Sequence, residues 1–310
     1  MSLPTVVPET ISVDAGAVRL GARRWPGASG RPVLLVHGLS SNARLWDLVA
    51  VRLAGAGHPV LAVDLRGHGS SAAVADGSTD PTHTAAADLA AICSHVARGA
   101  PMGNRVAHGC PSRATDGTTG GATGGATAPV VAGQSWGGNV VLQLAADRPD
   151  LVHGLVLVDG GWLHLGDRFD DIDAAWQVLA PPRLTGLPAA RLREQLAQAH
   201  PDWAPEAVDA TLANLEQLPD GTVRPWLGRD RHHAIVAGLL AHRPRELYPR
   251  VRCRCILLAA TSTDDSRPEL VDEAVRSLPE GSRLEEFPGG DHDLHAQHPD
   301  RVANAIGELT

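Results

Sequence analysis

The 310 residues, 43% of them hydrophobic and 20% charged, suffice for one large α/β domain or for a core domain carrying an insertion. A formal charge of −8, with arginines in place of any lysine and no run of them, argues against nucleic acid as the main partner, because a phosphate-binding surface needs grouped cations. Residues Met1 to Thr10 hold no basic residue ahead of an apolar run, and no segment has the length of a membrane span, so a cytoplasmic protein without membrane insertion is expected.

Thr10 to Trp25 alternates apolar and polar residues about Ala15-Gly16, which predicts an antiparallel hairpin at a sheet edge. Pro32-Val33-Leu34-Leu35-Val36 is a continuous apolar run closed by His37-Gly38, the pattern of a strand buried on both faces of a parallel sheet. A helix from Ala43 to Leu53 and a second buried strand from Pro59 to Asp64 complete a right-handed crossover. Leu65 to Ser70 is a glycine-punctuated loop, and Thr82 to Ala97 an alanine-rich helix against the sheet. Residues 99–128, rich in Gly, Ala and Thr, are too polar to fold by themselves and read as a flexible surface insertion. They are no phosphate cradle, since no Lys-Ser/Thr pair and no helix follow the glycines.

The run from Val130 to Val141 joins an apolar strand, Gly133-Gln134-Ser135-Trp136-Gly137 and a helical pattern without a break. A serine at such a turn is driven towards a strained backbone, and the helix that follows aims its free N–H groups at the same spot. Val152 to Val158 is another strand, ending at Asp159-Gly160-Gly161. Then the alternation stops. Leu187–Ala199, Pro205–Leu218 and Arg229–His242 predict three consecutive helices, an insertion within residues 161–249. Arg254 to Ala260 resumes the buried-strand pattern, followed by a helix from Pro268 to Leu278, a last strand from Ser282 to Phe287 and a closing helix from Pro299 to Leu309. Four cysteines, Cys93, Cys110, Cys253 and Cys255, form no metal or disulfide framework in a chain of this length, and a Cys93–Cys110 bridge is not expected.

A hydroxyl is a poor nucleophile near neutral pH, so Ser135 needs a base that takes its proton and later returns it. Of fifteen histidines, His292 is placed best, in the loop after the C-terminal end of the last strand, where the catalytic groups of parallel sheets gather. Asp64, Arg66 and His68 read as loop anchors. Asp291, Asp293, His295 and His298 crowd His292 and read as an orienting loop rather than a metal site, and no metal or other cofactor is expected. His232 and His233, adjacent on a helix, point apart and make a poor ligand pair.

The Gly-x-Ser-x-Gly turn, His37-Gly38, Asp64-Leu65-Arg66-Gly67-His68-Gly69-Ser70 and His292, each after its own strand, resemble the α/β-hydrolase family over nearly the whole chain. The resemblance implies a mostly parallel central sheet flanked by helices, with residues 1–160 and 250–310 as the core and 161–249 as a helical lid. It implies a triad in the chain order Ser, Asp or Glu, His, and an oxyanion hole from the backbone N–H groups of Leu39 and Trp136, with His37 bracing the loop. In most relatives the acid follows the strand that ends here at Ala260, which points to Asp264. Asp159, a position some members use, is the alternative, and Asp265 comes last.

Among the tryptophans near the insertion, Trp136 and Trp162 at strand ends are the candidates to contact substrate. The resemblance then implies a serine hydrolase acting through an acyl-enzyme on a small or medium apolar ester, thioester or lactone. A carbon–carbon hydrolase or perhydrolase using the same triad is the neighbouring alternative, and a non-catalytic small-molecule-binding homologue is the other class. Oligomeric state has no sequence signature.

Overall fold

The computed structural model describes residues 7–74, 78–98, 104–105, 127–261 and 269–310. Strands β1 (Glu9–Asp14) and β2 (Arg19–Trp25) form the N-terminal hairpin, and β3 (Val33–Val36), α1 (Asp47–Gly55) and β4 (Val60–Val63) the first crossover. Helix α2 (Pro81–Ala97) starts where Asp80 accepts the His83 N–H at 3.0 Å and Pro81 occupies the first turn, where its missing N–H costs nothing. The two-residue strand β5 (Asn104–Arg105) pairs with β1; apart from it and residues 127–128, the stretch 99–128 expected to be a flexible insertion lies outside the described residues. Then come β6 (Val130–Gln134), α3 (Trp136–Asp147) and β7 (Gly154–Val158).

With β10 (Arg254–Thr261) and β11 (Arg283–Pro288), these strands make one nine-stranded sheet in the order β11-β10-β7-β6-β3-β4-β2-β1-β5, parallel from β11 to β4 and antiparallel beyond. Every residue of β3, β4, β6 and β7 is buried. Successive side chains of a strand point to opposite faces, and the core divides accordingly. Leu34, Val131, Leu155 and Leu257 face α2 and α3, whereas Leu35, Ala132, Val156 and Leu258 face α1 and the C-terminal helix. Each such Val or Leu contributes about 1.5–3 kcal/mol on burial.

Between β7 and β10 the chain differs from the three-helix expectation. A short helix, α4 (Ile172–Leu179), comes first, capped by Asp171, and α5 (Ala189–Ala199) follows. Helix α6 (Pro205–Leu212) stops early, and Leu215 lies instead in β8 (Leu215–Gln217), paired with β9 (Val223–Pro225). The turn between them is set by Asp220, whose carboxylate accepts from the Thr222 N–H and hydroxyl, and by Gly221 at φ 80°. Leu215 still packs beside Leu212 and Leu192, so an apolar spacing of three or four did not separate one long helix from a helix followed by a strand. Helices α7 (Arg229–Ala241) and α8 (Pro244–Leu247) lead back to β10 (Arg254–Thr261). The chain closes with α9 (Glu269–Ser277), β11 (Arg283–Pro288), α10 (Leu294–Gln297) and α11 (Pro299–Gly307). Among the described residues no helix is long and apolar enough to cross a membrane.

Candidate active site

Ser135 sits between the last residue of β6 and the first of α3 at φ 54°, ψ −124°, a region that costs a non-glycine residue about 1–3 kcal/mol. The sheet holds it there: its N–H donates to Val158 O at 2.9 Å, and its carbonyl accepts from Gly138 N at 2.8 Å. From Val130 to Leu142 it is the one residue that is not buried. The flanking Gly137 is required by close approach, since a β-carbon there would meet His37 O at 2.4 Å.

The loop after β3 crosses this turn. A β-carbon on Gly38 would lie 3.0 Å from Ser135 Cβ, so the two backbones are in contact. His37 braces the loop as expected: its Nδ1–H donates to Gly38 O at 2.8 Å and its Nε2 accepts from Leu65 N at 3.0 Å, tautomers being set by these partners. Burial holds its pKa down at about 4, so the ring is neutral. His68 repeats the device, donating to Arg66 O and accepting from Ser40 N, while Asp64 accepts from Ala43 N, Ser70 N and the Ser70 hydroxyl. Arg66 pairs with Asp88 through two bonds of 2.6 and 2.7 Å. Among the described residues the N–H groups of Leu39 and Trp136 have no acceptor.

His292, in the loop after β11, places Nδ1 2.5 Å from Asp159 Oδ2. Its carbonyl accepts from the Gln134 amide at 3.2 Å, which ties the histidine loop to the residue preceding Ser135. Asp159, at φ 42°, is fixed by its own N–H to Leu258 O at 2.7 Å and by Oδ1 accepting from Ala260 N at 3.0 Å. The carboxylate therefore bridges β7, β10 and the histidine. Burial opposes a charge on His292, but the hydrogen bond and charge of Asp159, aided by Asp293, outweigh it and hold its pKa above the ordinary value. Asp264 and Asp265 lie outside the described residues.

The Trp136 ring is placed differently from expectation. The Trp136 indole is turned into the core, 2% exposed, stacked on His68 and donating to the Thr82 hydroxyl at 3.0 Å; its backbone, not its ring, faces the turn. Trp162 is also buried and lines a cavity of about 200 Å³ with Tyr248. A larger cavity, about 880 Å³, lies under the insertion, bounded by Ser40 on the core side and by Leu184, Leu192, Leu196, Leu215 and Leu227.

Sequence reasoning missed how the insertion is fastened. The Ser40 hydroxyl donates to His232 Nδ1 at 2.8 Å, and His232 Nε2–H donates to Leu179 O at 3.1 Å. Asn42 donates to Ala210 O at 3.0 Å. On the other side, Asp291 accepts from His200 Nδ1 and Trp203 Nε1, both at 2.9 Å, and Gln297 donates to Asp202 at 2.6 Å. Both loops that border Ser135 thus carry bonds to the insertion. Only the polar residues beside His37 and His292 hinted at them.

A family model described as the alpha/beta hydrolase family matches residues 33–305. Two curated relatives come from Mycobacterium tuberculosis. The esterase Rv0045c is 38% identical over 153 residues, 49% of this chain and 40% of that protein. The lipase LipV is 31% identical over 205 residues, 66% of this chain and 65% of that protein. The chain thus spans less than two thirds of the length of these relatives. Among solved structures, that of an E-2-(acetamidomethylene)succinate hydrolase superposes with a TM-score of 0.71 over 97% of this chain and 98% of the other, at 21% identity, a likeness of fold.

Proposed function

This chain belongs to the alpha/beta hydrolase family, and from that premise we propose a serine hydrolase that cleaves a small or medium apolar ester, thioester or lactone through an acyl-enzyme. The observation that carries the reading is the 2.5 Å contact between His292 Nδ1 and Asp159 Oδ2, joined from separate strand ends beside the strained Ser135. It favours Asp159 over Asp264 as the acid of the triad.

In this reading the His292 Nδ1–H is committed to Asp159, which leaves Nε2 to take the Ser135 proton as Oγ attacks the acyl carbon. The carbonyl oxygen gains the electron pair and is met by the N–H groups of Leu39 and Trp136, each worth about 3 kcal/mol of barrier, at the positive end of α3. Collapse breaks the bond to the leaving oxygen or sulfur, which takes the proton from His292. Water repeats the sequence on the acyl-serine, releasing the acid and returning the proton to Ser135. The Asp159 carboxylate holds the ring in place and stabilises the imidazolium that forms. Residues 161–249 act as the lid, and the free thiols of Cys93, Cys253 and Cys255 fit a cytoplasmic site of action.

A fluorophosphonate probe tests the reading. Wild type becomes labelled and Ser135→Ala does not; an unlabelled wild type, or a labelled Ser135→Ala, contradicts it.

A further inference from the structure

The 880 Å³ cavity under the insertion has a charge pattern that the proposed hydrolysis of apolar esters does not require. The chain carries an excess of acid, with a formal charge of −8, yet no Asp or Glu lines this cavity, while Arg183 and Arg229, both solvent-exposed, do. Among the described residues neither guanidinium has a carboxylate partner. Arg229 is nevertheless held: it donates to Pro181 O at 2.7 Å and lies 5.2 Å from the Trp176 ring centroid. A cation fixed by a carbonyl and an aromatic face is oriented before any ligand arrives. The rest of the wall is largely aliphatic, from Leu184, Leu192, Leu196, Leu215 and Leu227, and the core-side wall is Ser40, the residue after the Leu39 N–H.

We propose that the cavity takes an acyl chain ending in a carboxylate, its methylenes against the leucines and its free end on Arg183 and Arg229. This rests on the serine-hydrolase reading of Ser135, from whose loop the cavity is reached at Ser40, and it narrows the substrate class to half-esters or half-thioesters of medium-chain dicarboxylic acids. A neutral chain of equal length fills the same apolar wall but leaves the cations unmatched. Guanidinium–carboxylate pairs supply the difference, and because the protein's overall charge repels anions, the selectivity must come from these two local cations.

The test compares p-nitrophenyl octanoate with the mono-p-nitrophenyl ester of octanedioate, a pair that differs at the far end of the chain. Wild type is expected to favour the carboxylate-ended ester in kcat/KM by tenfold or more, and Arg183→Gln and Arg229→Gln, singly and together, to reduce that ratio stepwise. Equal turnover of the two esters, or an unchanged ratio in the double variant, overturns the proposal. Calorimetry of octanedioate and octanoate on Ser135→Ala reads the cavity without turnover. If octanedioate binds at least tenfold more tightly and Arg229→Gln abolishes the difference, the cavity assignment stands even where ester hydrolysis fails. Equal affinity of the two acids overturns it even where hydrolysis succeeds.

Discussion

The Ser40 hydroxyl and His232 Nδ1 meet at 2.8 Å across 192 residues of sequence, joining the loop that carries the Leu39 N–H to helix α7. Ser40 is one of three described non-glycine residues with positive φ, at 59°, so its loop is held in a conformation the backbone does not favour. His232 passes the restraint on to the end of α4 through Leu179 O.

Removing either partner is expected to loosen the proposed oxyanion loop. Ser40→Ala and His232→Ala should each lower kcat/KM, and their effects should not add, with a coupling of about 0.5–1.5 kcal/mol for the shared bond. A double-mutant cycle on ester hydrolysis measures this. Additive losses would mean that the bond does not support the reaction.

With His292 as the proposed general base, its ring sets the pH profile. A general base works as the neutral ring, and Asp159 holds the folded pKa above its ordinary value. The rising limb of kcat/KM is therefore expected above about pH 6.5. Asp159→Asn removes both the hydrogen bond and the charge that raise it, so the limb should move to lower pH as the rate falls. A limb that stays in place would detach His292 from Asp159.

Acid should weaken the fold before carboxylates protonate. Burial lowers His37 and His242 to about 4 and His68 and His295 to about 3. In the unfolded chain these rings titrate near 6.5, so below that pH the unfolded state binds more protons and stability falls as pH drops towards the folded values. Each buried ring contributes a slope on the order of 1 kcal/mol per pH unit in that window. His295 is fully buried against Trp46, with neither ring nitrogen bonded among the described residues. His295→Phe should therefore flatten the dependence of the urea midpoint between pH 7 and 5; an unchanged slope would show that His295 does not carry it.

The centre of the parallel sheet was legible because β3, β4, β6 and β7 are continuous apolar runs with glycine or aspartate at or near their ends, and the places of Ser135 and His292 because each follows a strand's C-terminal end. The acid was not legible. β7 and β10 are neighbours in the sheet, so the sequence alone does not choose between acids that follow either strand; what brings Asp159 to His292 is a backbone at φ 42° with bonds to Leu258 and Ala260. The place of Trp136 beside Ser135 points its ring at the pocket, but the partners that turn the ring inward, His68 and Thr82, are remote in sequence. The insertion misled for a different reason: Leu215 keeps helical spacing from Leu212 while belonging to a strand, because the turn at Asp220 and Gly221 decides the structure around it.

The triad is tested most directly by steady-state kcat/KM on an activated ester for Asp159→Asn beside Asp264→Asn, each checked for an unchanged thermal midpoint. With Asp159 orienting His292, Asp159→Asn is expected to lose about 10³–10⁴-fold and Asp264→Asn to stay near wild type. A collapse of Asp264→Asn with an active Asp159→Asn would contradict the assignment.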